Sequence, residues 1–229
     1  AEAMRQNHDL EQAEHYERRT LAIAQQELGE TDSNTAFVMS RLGVILFEAR
    51  KIDEALELEQ RALDILVANG DGETSNAIDI RGNMANVHAY QGRYTEAEAL
   101  HRETLELSLR VDGELHPNTI IRRSNLALVL THLGKLEEAV ELFGISIEAG
   151  GRVWPENYEQ ISSMIGSRAG ALKQLGRLDD ALAAYRVAQA MTQSNVGEDH
   201  RSYVNRMRGT ASALMDMRRY DEADSLLSD

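Results

Sequence analysis

Two asparagines that lie 42 residues apart, Asn83 and Asn125, carry side chains suited to holding another polypeptide. Each amide can donate and accept hydrogen bonds, and an extended peptide backbone presents one donor and one acceptor at every residue. We therefore expect these two asparagines to bind the backbone of a peptide ligand. The alternative is that they form hydrogen bonds inside the protein or merely face water.

Arginines recur at the same spacing, since Arg81 and Arg123 are also 42 residues apart. A guanidinium binds a carboxylate through two parallel hydrogen bonds. In a chain with a formal net charge of -14, arginines grouped on one set of helices favour an acidic peptide ligand. The alternative is that they pair with glutamates of the helix surface. Further cationic candidates for the same surface are Arg41, Lys173 and Arg208.

An aromatic pair follows the asparagines along the chain. Tyr90 and His132 share one position at the 42-residue spacing, and we expect both to face a ligand, together with Asn86.

Other chemistry has no matching pattern in the sequence. None of the seven histidines stands at a short metal-binding spacing, and there is no cysteine for a disulfide or a thiolate site. No glycine-rich phosphate loop, nucleophile elbow or paired-carboxylate constellation is present. We therefore expect no catalytic residues, no metal and no cofactor. His116 and His200 occupy equivalent loop positions, where we expect them to cap helices.

These candidates are positioned by an internal repeat of 42 residues. One series of small residues lies in register with a second series, which runs twelve residues ahead of it, and glycines stand between the two. The first series is Ala13, Ala55, Ala97, Ala139, Ala181 and Ala223; the second is Gly43, Ala85, Ala127, Ala169 and Ala211; the glycines are Gly92, Gly134 and Gly176. Glycine can adopt the left-handed conformation that ends a helix, so each repeat predicts a helix A, a turn and a helix B.

Apolar residues recur at helical spacing on both sides of the turn, which gives the helix boundaries. Helices A are predicted at about 34–49, 76–91, 117–133, 157–175 and 200–217. Helices B are predicted at about 10–28, 52–69, 94–111, 136–150, 178–194 and 220–229. Residues 1–229 are predicted to form one all-α solenoid, with a partial repeat at 1–33 and repeats at 34–75, 76–117, 118–159, 160–201 and 202–229.

At these positions the chain resembles the tetratricopeptide repeat family, whose pattern is a small residue in helix A, a glycine turn and Ala-x-x-x-Phe-x-x-Ala in helix B. The strongest matches are Ala85, Gly92, Tyr94 and Ala97 in one repeat and Ala127, Gly134, Leu136 and Ala139 in the next. The period and the segment "LHPNT" resemble the longer repeats of kinesin light chains and of bacterial signalling proteins. Arg50 and Arg218 depart from the pattern, because they replace the turn glycine.

The resemblance implies a right-handed superhelical solenoid of about five and a half repeats, with helices A on its concave surface. It also implies a protein-protein interaction scaffold that binds a peptide or protein segment in the concave groove. Glycines on helices A, among them Gly82, Gly166, Gly170 and Gly209, could admit a partner closely or serve helix packing. One alternative function is regulation of a sister domain in the same protein, such as a kinase, protease, ATPase or DNA-binding domain. Another is a peptide-pheromone sensor.

The composition of the chain limits the kinds of partner and the cellular location that we expect. The net charge opposes nucleic acid and anionic membrane as partners, and no apolar run approaches the ~20 residues needed to cross a bilayer. The acidic opening lacks a signal-peptide pattern, so we expect a cytoplasmic protein. Projected backward, the register places Ala1 in the middle of a helix A, and the sequence stops inside a helix B. We therefore expect a piece of a longer protein.

Overall fold

A computed structural model of the chain describes residues 2–154, 159–197 and 201–228. Helices joined by short turns make up these ranges, and they contain no strand. The eleven helices found there are α1 (Glu2–Leu28), α2 (Ser33–Glu48), α3 (Ile52–Ala68), α4 (Ser75–Tyr90), α5 (Tyr94–Val111), α6 (Pro117–His132), α7 (Leu136–Val153), α8 (Glu159–Gln174), α9 (Leu178–Val196), α10 (Arg201–Asp216) and α11 (Tyr220–Ser228). The even-numbered helices are helices A, and the odd-numbered helices are helices B.

The predicted all-α fold is confirmed, and most helix boundaries lie close to their predicted places. The first helix B is the exception, since α1 begins at Glu2 rather than near residue 10. The equivalent turn position is His8 here, and α1 continues through it, whereas the turn forms at Arg50, Gly92, Gly134, Gly176 and Arg218. Three predictions lie outside the described residues. They concern residue 1, the helical ends at 157, 158, 200 and 229, and the capping role of His200.

The turns between paired helices use the left-handed conformation that the repeat predicts. Gly92, Gly134 and Gly176 have φ of 75°, 74° and 77°. Arg50 and Arg218 take the same conformation with φ of 65° and 60°, although they carry a Cβ. The left-handed turn therefore forms at these two positions without a glycine.

Side chains cap the helices A at their starts. The carboxylate of Asp32, the hydroxyl of Thr74 and the imidazole of His116 accept hydrogen bonds from backbone N–H groups in the first turns of α2, α4 and α6. Such caps satisfy donors that have no partner within the helix. The capping role predicted for His116 is confirmed.

The chain divides into two compact units, Ala1–Gly113 and Glu114–Asp229. In unit 1 each of the helices α1 to α4 packs on the next one along the chain. Its core holds one buried cluster from α2, α3 and α4 and a second from α2 and α3, both made of apolar side chains such as Met39, Leu42 and Ile80.

Unit 2 repeats this plan from α6 to α11, and each helix again packs on the next. Leu182, Ala213, Leu214 and Ala223 form a buried cluster where α9, α10 and α11 meet. Both units consist of consecutive antiparallel helix pairs, as the repeat predicts. The prediction of one continuous solenoid over 1–229 stays a prediction.

Candidate functional site

The helices A of unit 1, α2 and α4, carry apolar side chains in contact with solvent. Phe37, Val44 and Tyr90 are 43%, 39% and 53% exposed. The ring of Tyr90 meets the edge of Phe47 at a centroid distance of 5.5 Å, and the Arg50 guanidinium lies 4.8 Å from the Tyr90 centroid. We call this surface of α2 and α4 the unit 1 face.

Three of the predicted ligand-binding residues of unit 1 are exposed: Arg41, Asn86 and Tyr90. Arg41 forms an ion pair with Glu17 at 3.0 Å, and its guanidinium carbon lies 6.0 Å from the Phe37 ring centroid. Over half of the Arg41 side chain still meets solvent. The unit 1 face therefore combines exposed aromatic rings with cationic side chains that lie over them.

Arg81 and Asn83, also predicted to bind a ligand, form hydrogen bonds inside unit 1. The Arg81 guanidinium donates to the backbone oxygens of Gly72 and Ala77 and pairs with Glu103 at 2.9 Å. The Asn83 amide nitrogen donates to Glu59 Oε1 at 2.9 Å. Arg81 therefore pairs with a glutamate of a neighbouring helix, and Asn83 forms a hydrogen bond inside the protein, as the alternatives to ligand binding predict.

Glu59 is a buried acid that the sequence analysis missed. Glu59 lies on α3, and only 1% of its surface is exposed. It packs against Gly43 of α2, where an added Cβ would come within 3.0 Å of the Glu59 side chain. Its Oε2 is buried without a hydrogen-bond partner. The pKa of Glu59 is raised to about 7, chiefly by burial. The charge of Asp79 contributes to this rise, and hydrogen bonds from Ser40 and Asn83 oppose it.

The signal that could have found Glu59 is its place in the repeat. It stands four residues after Ala55, where the family pattern has phenylalanine. The equivalent residues in the helices B from α1 to α9 are Glu17, Glu59, His101, Phe143 and Tyr185. We call them the central residues. His101 is 1% exposed, and its burial lowers its pKa to about 4.

The predicted ligand-binding residues of unit 2 differ in exposure. Arg123 is 4% exposed, its Nη1 is buried without a hydrogen-bond partner, and burial lowers its pKa. Asn125 is half-buried, whereas His132 and Arg208 are exposed. Lys173 donates to Ser212 Oγ and to Asp216 Oδ2, both at 2.9 Å. Of these five residues, His132 and Arg208 are the most open to solvent.

Glycines in α8 and α10 make room for larger side chains. A Cβ on Gly209 would lie 2.5 Å from Tyr185 Cε1, and a Cβ on Gly166 would lie 2.6 Å from Arg206 Nη1. A Cβ added to Gly82 would contact only Thr104, at an ordinary distance of 3.8 Å. For Gly166 and Gly209 the structure therefore supports the packing alternative.

The described residues contain no group of three or more His, Asp or Glu side chains placed to hold a metal ion. No helix within 2–154, 159–197 or 201–228 has the length and apolar character to span a membrane.

Comparison with solved structures shows the same fold at low sequence identity. BtubC (BKLC) from P. vanneervenii is 16% identical, with a TM-score of 0.76 over 98% of this chain and 88% of that one. The TPR-like repeats of a putative kinesin light chain from Podosopora anserina are 18% identical, with a TM-score of 0.72 over 83% of this chain and 90% of that one. YrrB, described as a TPR protein with an unusual peptide-binding site, is 15% identical, with a TM-score of 0.59 over 91% and 89% of the two chains.

Sequence comparison gives the family directly. The search of curated proteins found no match to the chain. The family model described as "Tetratricopeptide repeat" matches residues 1–66 and 76–149, which together exceed half of the sequence. This match agrees with the 42-residue period and with the paired helices of both units. The chain therefore belongs to the tetratricopeptide repeat family.

Proposed function

We propose that this chain is a protein-interaction module that binds a peptide or protein segment along the unit 1 face. The observation that carries the proposal is the group of exposed aromatic and apolar side chains on α2 and α4, Phe37, Val44 and Tyr90. Aromatic side chains with one exposed face are common anchors in protein interfaces, because they bury a large area at a small entropic cost. The peptide-binding site named for YrrB, which shares the fold, supports a ligand of this class.

The side chains around these anchors provide polar contacts for the same ligand. Arg41 and Asn86 are exposed beside the apolar residues, and Arg50 stacks over the Tyr90 ring. Charged and amide groups at the rim of an apolar patch set the orientation of a bound chain. The proposal assigns binding to this surface and no catalytic step.

Selection of peptides from a displayed random library on the intact chain tests the proposal. The affinity of the selected peptides is then measured by calorimetry for the wild type and for Tyr90→Ala. We expect the substitution to lower the affinity about tenfold or more, as removal of an interface tyrosine commonly does. Tyr90 is exposed, so the melting temperature should change little.

Tyr16→Ala is the matched control, because Tyr16 is 63% exposed but lies on the helix B α1. Peptides should bind this variant as they bind the wild type. Equal loss of affinity in both variants, or no loss in Tyr90→Ala, would exclude the unit 1 face as the binding surface.

A further inference from the structure

One histidine of unit 1 stands where the other helices A bury a leucine. The residues equivalent to His88 in α2, α6, α8 and α10 are Leu46, Leu130, Leu172 and Leu214, and none of them is more than 2% exposed. His88 is only half-buried, and it lies on the same side of α4 as Met84, one turn earlier. A polar ring therefore takes a position at which the repeat otherwise has a buried apolar side chain.

The imidazole of His88 has no hydrogen-bond partner among the described residues, and its Nδ1 is buried. Burial lowers the pKa of His88, the charge of Arg93 lowers it further, and the charge of Glu96 raises it. The ring is therefore neutral at pH 7, and one of its nitrogens can accept a hydrogen bond. A buried polar atom without a partner destabilises the folded chain, so leucine would be the better residue here for stability alone.

A groove of about 430 Å³ lies beside this histidine. We call it the α3–α4 groove, and its lining residues are Asp53, Leu56, Glu57 and Gln60 of α3 and Met84 and His88 of α4. Leu56 is only partly buried, and it packs on the apolar cluster to which Met84 belongs. The groove therefore offers both an apolar wall and an unpartnered imidazole to a ligand.

The rim of the α3–α4 groove carries acids that have no cationic partner. Asp53 and Glu57 are exposed, lie one turn apart on α3 and form no ion pair or hydrogen bond within the described part of the chain. Glu96 is a third exposed acid, close enough to act on the imidazole. Arg93 is a cation near the same ring, and it donates a hydrogen bond to Gln91. The acids outnumber this cation, so the charge of the rim favours a cationic ligand.

We infer that the α3–α4 groove binds a lysine or arginine side chain of a partner protein. The aliphatic stem of that side chain packs on Leu56 and Met84, and its charged end lies between Asp53 and Glu57. The imidazole of His88 accepts a hydrogen bond from the same charged group. An apolar side chain would leave the carboxylates of the rim unpaired, and an acidic one would meet like charges.

The α3–α4 groove is separate from the unit 1 face. Met84 and His88 lie on one side of α4, whereas Asn86 and Tyr90, each two residues further along, lie on the opposite side. None of the aromatic or apolar residues that define the unit 1 face lines the groove. The inference therefore stands independently of the proposed function, and it adds a second interaction surface together with the chemistry of its partner.

Titration of the intact chain with N-acetyl-arginine amide and with N-acetyl-lysine amide tests the groove. The methyl signal of Met84 in a ¹H–¹³C spectrum, assigned with Met84→Leu, reports binding, and sodium chloride at equal concentration corrects for ionic strength. We expect a saturable shift with at least one of the two cations. N-acetyl-citrulline amide, which has the shape of the arginine probe without its charge, should give none. An equal shift with the citrulline probe or with sodium chloride would overturn the inference.

Variants of the rim separate the groove from the general negative charge of the chain. Asp53→Asn combined with Glu57→Gln should lower the affinity for the cation about tenfold or more, since hydrogen bonds to charged groups are lost. Glu27→Gln combined with Glu106→Gln is the matched control, because it removes two exposed acids of unit 1 that do not line the groove. At a salt concentration of about 0.15 M, charges further than about 8 Å away are largely screened, so the control should bind as the wild type does.

His88→Leu introduces the residue of the equivalent positions, so the variant should fold. We expect it to lower the affinity for the cation about two- to tenfold and to raise the melting temperature, because it removes both the acceptor and the buried atom without a partner. Weaker binding by a more stable variant cannot result from unfolding. Wild-type affinity in His88→Leu or in the double variant of the rim, or equal loss in that variant and its matched control, would overturn the inference.

Discussion

At the scale of single residues, the burial of Glu59 links the stability of unit 1 to pH. Burial raises the pKa of this carboxyl from its ordinary value of 4.5 to about 7, so between these values the folded state keeps a proton that the unfolded chain releases. The contribution of Glu59 is complete below pH 4.5 and is lost as the pH rises through about 7. The loss amounts to about 3 kcal/mol from a shift of this size.

Glu59→Gln should remove this dependence, because glutamine keeps an acceptor for Asn83 and has no charge to bury. We expect the free energy of unfolding, from urea titrations between pH 4.5 and 8, to fall less with rising pH in the variant than in the wild type. Glu57→Gln, at an exposed position on the same helix, should follow the wild-type profile. Parallel profiles for Glu59→Gln and the wild type would show that Glu59 does not titrate in this range.

Asn83 shows what could and could not be predicted for individual residues. The register correctly places it on a helix A beside exposed positions such as Asn86. Its amide nitrogen nevertheless donates to Glu59, which lies 24 residues away on the preceding helix B. Periodicity along one helix gives the face on which a residue lies. Whether a polar side chain on that face bonds inward depends on the central residue beneath it, and the sequence varies that residue from Glu59 to His101 and Tyr185.

At the scale of helices, glycines inside α4 and α10 have opposite consequences for packing. Alanine stabilises a helix interior by about 1 kcal/mol relative to glycine when the added methyl group has space. At Gly82 the nearest atom would be 3.8 Å away, so Gly82→Ala should raise the free energy of unfolding by about that amount. At Gly209 the methyl group would meet the Tyr185 ring at 2.5 Å, so Gly209→Ala should cost about 1–3 kcal/mol despite the better helix propensity.

Urea denaturation of both glycine variants, and of the double variant Gly209→Ala with Tyr185→Ala, measures these effects. Removing the ring should abolish the penalty specific to Gly209→Ala, because its cause is a steric contact with that ring. A stabilising Gly209→Ala in the wild-type background would show that α10 can shift away from Tyr185 at no cost.

The two turns that carry arginine provide a second comparison between helices. A residue with a Cβ pays about 1–2 kcal/mol for the left-handed conformation, and glycine does not. Arg218→Gly should therefore stabilise the chain by about 1 kcal/mol, as measured by its unfolding free energy. Arg50→Gly should gain less, because it also loses the contact of Arg50 with the Tyr90 ring, worth about 0.5–1 kcal/mol. Equal gains at both turns would indicate that this contact contributes nothing.

Helix positions were more predictable than side-chain contacts because they depend on local signals repeated many times. Turn residues, small residues and apolar spacing agree in one 42-residue register, and the structure follows that register from α2 onward. The predicted start of α1 was wrong because the register places a turn near His8, and the helix continues through that position. A repeat predicts where helices end only where each copy keeps its turn.

At the scale of the whole molecule, the two compact units allow a test of whether the 42-residue repeats fold as one solenoid or as two independent parts. Each unit holds its own buried apolar clusters, from Met39 and Ile80 in one to Leu182 and Leu214 in the other. Stability in repeat proteins is close to a sum over neighbouring elements, so a part with several complete pairs can fold alone. We expect fragments 1–113 and 114–229 each to show a helical circular dichroism spectrum and a cooperative thermal transition.

The size and cooperativity of these transitions decide between two descriptions of the chain. Ile80→Ala in fragment 1–113 should lower its melting temperature, since truncating a buried isoleucine costs about 2–5 kcal/mol, and this confirms that the transition reports the unit 1 core. If both fragments fold, the units are independent domains, and the unit 1 face can bind its ligand without unit 2. If either fragment is unfolded while the intact chain melts in one transition, the repeats act as the single solenoid that their unbroken register predicts, and binding at the unit 1 face then depends on helices far from it in the sequence.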